Sequence, residues 1–483
     1  MLEAYSHNYV KSLLKKEVSK WPHNLTLSRL IGRSIRRHDR SIIELEVSDY
    51  NYCWLGILIP LSIHRKDVVL VVTEKQRHRL ITFELPRLKK EGLNLACWEA
   101  LTPPPGNQIW LLNHVDFLKV YRKGHLRFKQ LLIPEAELFI ARLREAMAIN
   151  VTSRDWDVLR RTHPSASAAF IQLHEHITKE LFSKVACIDG NVSMTFSEIA
   201  ALQDLLGLLG ESPQPWPALL NALSQKWASW AALNHKLLDW TWHLQPLEPL
   251  LDLQELFQES PFVMLFGSKE NTLFLNQLES CVGSFDVNVR VGNCISNDQE
   301  PIHLFLPRRQ PLPNTEYFAD HLLDQSRRLI LGRSGLTILL VDDDSLLRKL
   351  TTELAAEFGR RVIYQSTSPL SNGVICCSSM WWLTAQEKLP APEQLIITIL
   401  PFSTLESPLT AARVEAYKLQ GLDWFRDLLL PELLTLLPKL VLPVRENQGR
   451  VAVLDGRLRS RSWGAKILSV LEPWNPLERL LPL

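Results

Sequence analysis

Two groups of basic residues are the first candidates for chemistry in this chain. Arg33, Arg36, Arg37, His38 and Arg40 cluster near its start, and Arg122, Lys123, His125, Arg127 and Lys129 crowd residues 121–130. Such density suits phosphate contacts, but a solvated surface is the plainer reading of both groups. Six tryptophans, Trp156, Trp216, Trp227, Trp230, Trp240 and Trp242, share one stretch. They read as core packing or as a platform on which bases stack. Nucleotide hydrolysis has a stricter requirement. It needs a glycine-rich loop whose N–H groups cradle phosphates, then a Lys for the β/γ-phosphates and a Ser or Thr for Mg²⁺. No Gly-Lys-Ser/Thr triplet occurs in the 483 residues. The seven cysteines form no C-x-x-C spacing, so reduced thiols in a cytoplasmic protein are expected, with the adjacent Cys376 and Cys377 buried.

The chain that must position these residues has an ordinary globular composition. Apolar residues make up 46% and charged residues 22%, which argues against disorder. Its length implies two or three domains. A net charge of +2 leaves no global field aimed at nucleic acid. Glu3, Lys11, Lys15, Lys16 and Glu17 break up the first twenty residues, so no secretory leader is expected. No run of about 18 apolar residues predicts a membrane span.

Residues 25–37 read as a helix, with Leu27, Leu30, Ile31 and Ile35 at helical spacing. Residues 41–47, 67–73 and 108–113 read as strands. Short apolar strands separated by helices predict a parallel sheet. From about 141 to 254 Leu, Ala, Gln and Trp recur at helical spacing, which predicts helices and almost no strands. The α/β pattern returns with strands at 261–266, 336–341, 361–364, 394–400 and 451–454. The expected organisation is a first α/β domain of residues 1–140 and 256–300, a helical insertion at 141–255, and a second α/β domain at 301–483.

The C-terminal third carries a recognisable pattern. The stretch from Leu400, LPFSTLESPLTAARVEAYKLQGLDWFRDLLLPE, and the closing VAVLDGRLRSRSWGAKIL resemble the DinG/XPD-type helicases of superfamily 2. PLPNTEYFADHLL followed by GLTILLVDDDSLLRKL resembles the entry into that family's second motor domain. Motifs carry the resemblance from about Ile302 onward, and element order carries it before that. It implies an α/β fold of two RecA-like parallel-sheet domains, with ATP in the cleft and single-stranded DNA across the top. It also implies a helical arch within the first domain, where residues 141–255 would fall.

Against the family pattern, the catalytic motifs are depleted. Aligning Ile57-Leu58-Ile59-Pro60 places the phosphate loop at residues 48–54, from Ser48 and Asp49 to Cys53 and Trp54, with no glycine. Cys53 takes the Lys position and Trp54 the hydroxyl position. Asp49 would repel phosphate, and Tyr50 and Tyr52 would obstruct it. The metal-binding box aligns with residues 131–137. There Pro134 replaces the Asp that would hold Mg²⁺, and Glu135 survives at the water-activating position, where a solvated loop carboxylate is the plainer reading. Phe266-Gly267-Ser268-Lys269 stands where a Ser-Ala-Thr-like triplet should be. Met380-Trp381-Trp382-Leu383-Thr384 keeps a Trp of the W-E-G-x-D element and loses both acids. The arginine motif aligns with residues 438–445, where Leu442 takes the first Arg position and Arg445 keeps the last. Only Cys53 and Cys97 lie near the interval that would hold a four-Cys Fe–S cluster, so none is expected.

Three functions compete. The first is a pseudo-helicase that binds single-stranded nucleic acid or a protein partner. The second is a helicase that turns over Mg²⁺-ATP through a divergent loop. The third is a structural subunit without nucleic-acid contact. The first is the expectation: no working motor, no bound cofactor and no membrane partner. Phosphate contacts from Lys and Arg need no catalytic loop. Lys75, Arg77 and Arg79, after the strand at 67–73, are therefore the expected nucleic-acid contacts, joined by Arg36 and Arg37.

Overall fold

The protein is described by a computed structural model covering residues 2–15, 21–46, 50–64, 68–187, 190–267, 272–292, 301–331 and 333–477. Its strands in the first third are β1 (Ser41–Leu45), β2 (Val68–Val71), β3 (Cys97–Trp98), β4 (Ile109–Leu112) and β5 (Gln130–Ile133). Next come β6 (Ile149–Val151), β7 (Asn191–Ser193), β8 (Trp227–Asn234), β9 (Asp239–Pro246), β10 (Phe262–Phe266) and β11 (Val287–Val291). The last seven are β12 (Ile302–Phe305), β13 (Thr337–Leu340), β14 (Val362–Tyr364), β15 (Val374–Cys377), β16 (Gln394–Ile397), β17 (Arg450–Val453) and β18 (Trp474–Pro476). The chain divides into two compact units, Met1–Val185 with Asn191–Cys294, and Ala186–Gly190 with Ile295–Leu483. Among the described residues no helix is long and apolar enough to cross a membrane.

The first unit is built on a parallel seven-stranded sheet in the order β11-β1-β10-β5-β2-β4-β3. Its central strands are unbroken apolar runs because both faces are covered, and successive side chains point to opposite faces. Ile43, Leu70, Leu132 and Leu265 enter the core under the helices Asn24–Arg37 and Trp54–His64. Ile42, Val69, Leu131 and Met264 enter the opposite core, under His114–Arg122 and Thr272–Val282. All eight are at most 1% exposed, so truncating one, as in Leu265→Ala, costs roughly 2–5 kcal/mol.

The helical expectation for residues 141–255 needs correction. Among the described residues four α-helices lie wholly within this stretch, Ser153–Thr162, Ser167–Ser183, Phe196–Leu209 and Trp216–Leu223. With them stands an antiparallel sheet in the order β6-β9-β8-β7. In β9 the buried residues are Trp240, Trp242, Leu244 and Pro246, a period of two that marks a strand. The β8–β9 turn is set by Asn234, whose side-chain oxygen accepts from the N–H groups of Lys236 and Leu237 at 3.1 and 3.2 Å. Trp156, Trp216, Trp240 and Trp242 are core residues. Trp156 meets Trp216 edge-on at 4.9 Å, and His174 stacks on Trp240 at 5.6 Å.

The second unit repeats the scheme, with a parallel sheet in the order β14-β15-β13-β16-β17-β12-β18. Ile338, Cys377 and Val453 face the core under Leu430–Glu446, and Leu339, Cys376 and Leu454 face the core under Phe318–Leu331. Adjacent Cys376 and Cys377 thus enter opposite cores. Burial pushes the Cys376 thiol up to about 12 and raises that of Cys377 as well, so both stay protonated. The α/β expectation of two parallel-sheet units holds.

Candidate functional site

In the first unit β1 and β10 are parallel neighbours. The chain leaves β1 for the helix Trp54–His64 on one face and leaves β10 for Thr272–Val282 on the other. Neighbouring strands that exit to opposite faces open a crevice at their carboxyl ends, the usual ligand position in α/β folds. The expected phosphate-loop region lies here, as a 3₁₀ turn over Tyr50–Cys53. Ser48 and Asp49 lie outside the described residues.

The protein's own groups occupy this crevice. Tyr50 is buried, and its hydroxyl donates to Glu137 Oε2 at 3.0 Å or to the Leu265 carbonyl at 3.2 Å. The Gly267 N–H also approaches Glu137 Oε2, at 3.4 Å. A Cβ on Gly267 would lie 2.7 Å from the Tyr50 ring, so the ring packs against bare backbone. Burial, then the nearby charges of Glu137 and Glu135, hold the Tyr50 pKa well above its usual value. The phenol therefore remains a neutral donor. Cys53 and Trp54, aligned with the Lys and hydroxyl positions, are 0% and 1% exposed and belong to the core. The Gly56 N–H in the first turn of the following helix donates to Asn24 Oδ1 at 2.9 Å.

Glu135 sits on the loop after β5 with φ 50°, a strained backbone of the kind that gathers at functional sites. Its carboxylate is bound to Arg142 at 2.6 Å, and each side chain is 19% exposed. The solvated-carboxylate reading is thereby corrected, because the acid is largely enclosed and held in an ion pair. Behind it His114 is pushed down to about 4 by burial first and then by Arg142, against the opposing charge of Glu135.

In the second unit Arg445 is tied inward. Its Nη1 donates to the Pro473 carbonyl at 3.1 Å and its Nη2 to the Leu471 carbonyl at 2.6 Å. Leu442 lies half-buried on the same helix, and Trp382 is core, donating to the Leu440 carbonyl at 2.9 Å. The family-like stretches meet in one aromatic cluster. Phe402, Phe425 and Trp463 lie within 5.4–5.5 Å of one another, with the Arg457 guanidinium 5.4 Å over Phe402. Asp455, 1% exposed, accepts from the Leu400 N–H and from Arg457. Packing thus accounts for these motif residues.

The expected nucleic-acid contacts do not form one surface. Arg36 and Arg37 precede β1, and Lys75, Arg77 and Arg79 follow β2. Both strands run parallel in one sheet, so the two groups lie at opposite edges, separated by a strand length of about 13–17 Å. Arg36 pairs with Glu3 at 2.6 Å, Arg77 with Glu99 at 2.6 Å and Arg79 with Glu84 at 3.4 Å. Arg40 is bound to the Val282 and Gln258 carbonyls.

No family model matches the chain. It is 25% identical over 179 residues to the ATP-dependent DNA helicase YoaA of Escherichia coli (strain K12), a match covering 34% of this chain and 28% of that one. The YoaA helicase of Haemophilus influenzae is 27% identical over 188 residues, covering 36% and 29%. Each match spans less than a third of the curated relative's length. The solved structure of S. tokodaii Xpd4 superimposes with a TM-score of 0.60 at 11% identity, covering 95% of this chain and 99% of that one. An apo XPD structure and a second XPD helicase structure give 0.58 and 0.60, each at 11% identity, covering 94% of this chain and 99% and 98% of those chains. At that identity the likeness is one of fold, with RecA-like α/β units.

Proposed function

We propose that this chain, a relative of the DinG/XPD-type superfamily 2 helicases, is a pseudo-helicase. On this reading its first-unit nucleotide crevice is filled from within. It does not hydrolyse ATP and serves as a binding module for single-stranded nucleic acid. The observation that carries the reading is Tyr50, whose ring and hydroxyl take up the carboxyl ends of β1 and β10 beside Gly267 and Glu137. A phosphate brought there would meet a buried phenol and two carboxylates in place of the lysine and backbone donors that phosphate binding requires. Glu135, bound to Arg142, would have to leave its partner before acting on a water.

For nucleic acid, the edge after β2 is the surface to test. Lys75, Arg77 and Arg79 share it, but the pairing of Arg77 and Arg79 with acids lowers their value to a phosphate. Binding is expected to be micromolar at best, about 8 kcal/mol, and to weaken with salt. Fluorescence anisotropy with a labelled single-stranded oligonucleotide, at low and moderate salt, tests this against Lys75→Glu/Arg77→Glu/Arg79→Glu. Loss of binding in the triple variant supports this edge. Absence of binding by the unaltered protein at low salt would leave the structural-subunit function standing.

A further inference from the structure

The second unit has its own crevice of the same topology, and it is open. β17 and β12 are parallel neighbours. From β12 the chain crosses to the helix Phe318–Leu331 on one face, and from β17 it crosses to Gly464–Val470 on the other. The loops after these strands therefore part at the carboxyl edge, where α/β folds take ligands. Between them lies a cavity of about 620 Å³, lined by Arg308, Arg309, Gln310, Arg459 and neighbouring residues. It adjoins a second cavity of about 800 Å³ that shares Pro307, Arg308 and Arg459 and adds Arg461, Trp474 and several leucines. Both volumes fall within the roughly 300–1,000 Å³ typical of small-molecule sites.

The lining is rich in guanidinium groups. Among the described residues four arginines line the joined cavities and no carboxylate does. The acid of the β17 loop, Asp455, is buried and bound by Arg457 through both oxygens. The Arg459 guanidinium is held in place by a 2.8 Å bond from Nη2 to the Leu306 carbonyl. The floor is closely packed: Gly456 approaches the Pro311 and Gln310 carbonyls so closely that a Cβ would lie 2.7–2.8 Å from them. The apolar part has a fixed aromatic wall, because the Trp474 indole N–H donates to the Leu468 carbonyl at 3.2 Å.

We infer that this cleft binds a nucleoside monophosphate, with its phosphate among Arg308, Arg309 and Arg459 and its base in the apolar slot beside Trp474. A doubly charged phosphate matches a cluster of guanidinium groups that present planar forks of donors. The slot suits a flat group with an apolar face, so neither inorganic phosphate nor an uncharged nucleoside uses the whole site. The site lies wholly in the second unit and does not depend on the state of the Tyr50 crevice.

Isothermal titration calorimetry of the full chain tests this with AMP, adenosine and inorganic phosphate, without Mg²⁺ and at low salt. AMP is expected to bind more tightly than either fragment. Arg309→Glu/Arg459→Glu is expected to weaken AMP by roughly 10–100-fold, with the melting temperature of the free protein little changed. Should that variant not fold, Arg309→Ala, at an exposed side chain, carries the test with a loss of about tenfold. Absence of AMP binding, equal binding of adenosine, or AMP affinity unmoved by these substitutions overturns the inference. A 5′-phosphorylated oligonucleotide that exceeds AMP by more than about tenfold, with the same dependence on Arg309 and Arg459, would also overturn it and assign the cleft to a strand end.

Discussion

The crevice between β1 and β10 and the crevice between β17 and β12 arise from one topological rule and have opposite contents. In the first, Tyr50, Glu137 and the Gly267 backbone bond to one another, and Cys53 and Trp54 are drawn into the core. In the second, Arg308, Arg309, Arg459 and Arg461 line open space. Topology makes a place for a ligand, and side chains decide whether it is used. A crevice satisfied from within gains stability by burying its aromatic ring and pairing its polar groups. One lined by guanidinium groups presents planar forks of donors to an incoming anion.

The contrast predicts a graded set of effects. The largest belongs to Tyr50→Ala, which removes a buried ring from the first crevice and is expected to lower stability by roughly 3–5 kcal/mol in urea denaturation. A loss below about 1 kcal/mol would mean that the ring does not seal the crevice. Next comes the pH response of His114. Its folded pKa of about 4 lies below the ordinary histidine value of about 6.5, so the unfolded chain binds its proton first. Stability therefore rises with pH across the window from about 4 to 6.5, by up to about 3 kcal/mol from this group. His114→Gln should flatten that slope, and an unchanged slope would show that the histidine is not held neutral. Tyr50→Phe keeps the ring and removes the hydroxyl, at an expected cost of about 1–2 kcal/mol. The smallest effect is that of Arg309→Ala in the second crevice, within about 0.5 kcal/mol for the ligand-free protein. A substantial destabilisation there would indicate that the arginine holds the fold together.

Particular residues show how far the sequence could be read. The strands around Ile42, Val69, Met264 and Ile338 were legible because a strand buried on both faces is apolar throughout. The obstruction at Tyr50 was also legible, since a bulky residue stands where glycine is required. Its partner was not: Glu137 is 87 residues away, and only sheet order brings β5 beside β10. The strands β8 and β9 were missed because Trp227 and Trp230 stand three apart, a helical spacing, while the alternation of Trp240, Trp242 and Leu244 that marks β9 was overlooked. Arg36 and Lys75 looked like one surface until strand direction put them at opposite edges. The arginines of the open cleft drew no notice, although Arg308-Arg309 and the Arg457-x-Arg459-x-Arg461 run each follow a strand at its carboxyl end.

The central proposal is that the first crevice does not support ATP hydrolysis. Phosphate release from Mg²⁺-ATP, with and without single-stranded DNA, tests it most directly when the unaltered protein is compared with Glu135→Gln. The account predicts release at background in both proteins and no stimulation by DNA. DNA-stimulated release clearly above background, abolished by Glu135→Gln, would contradict it.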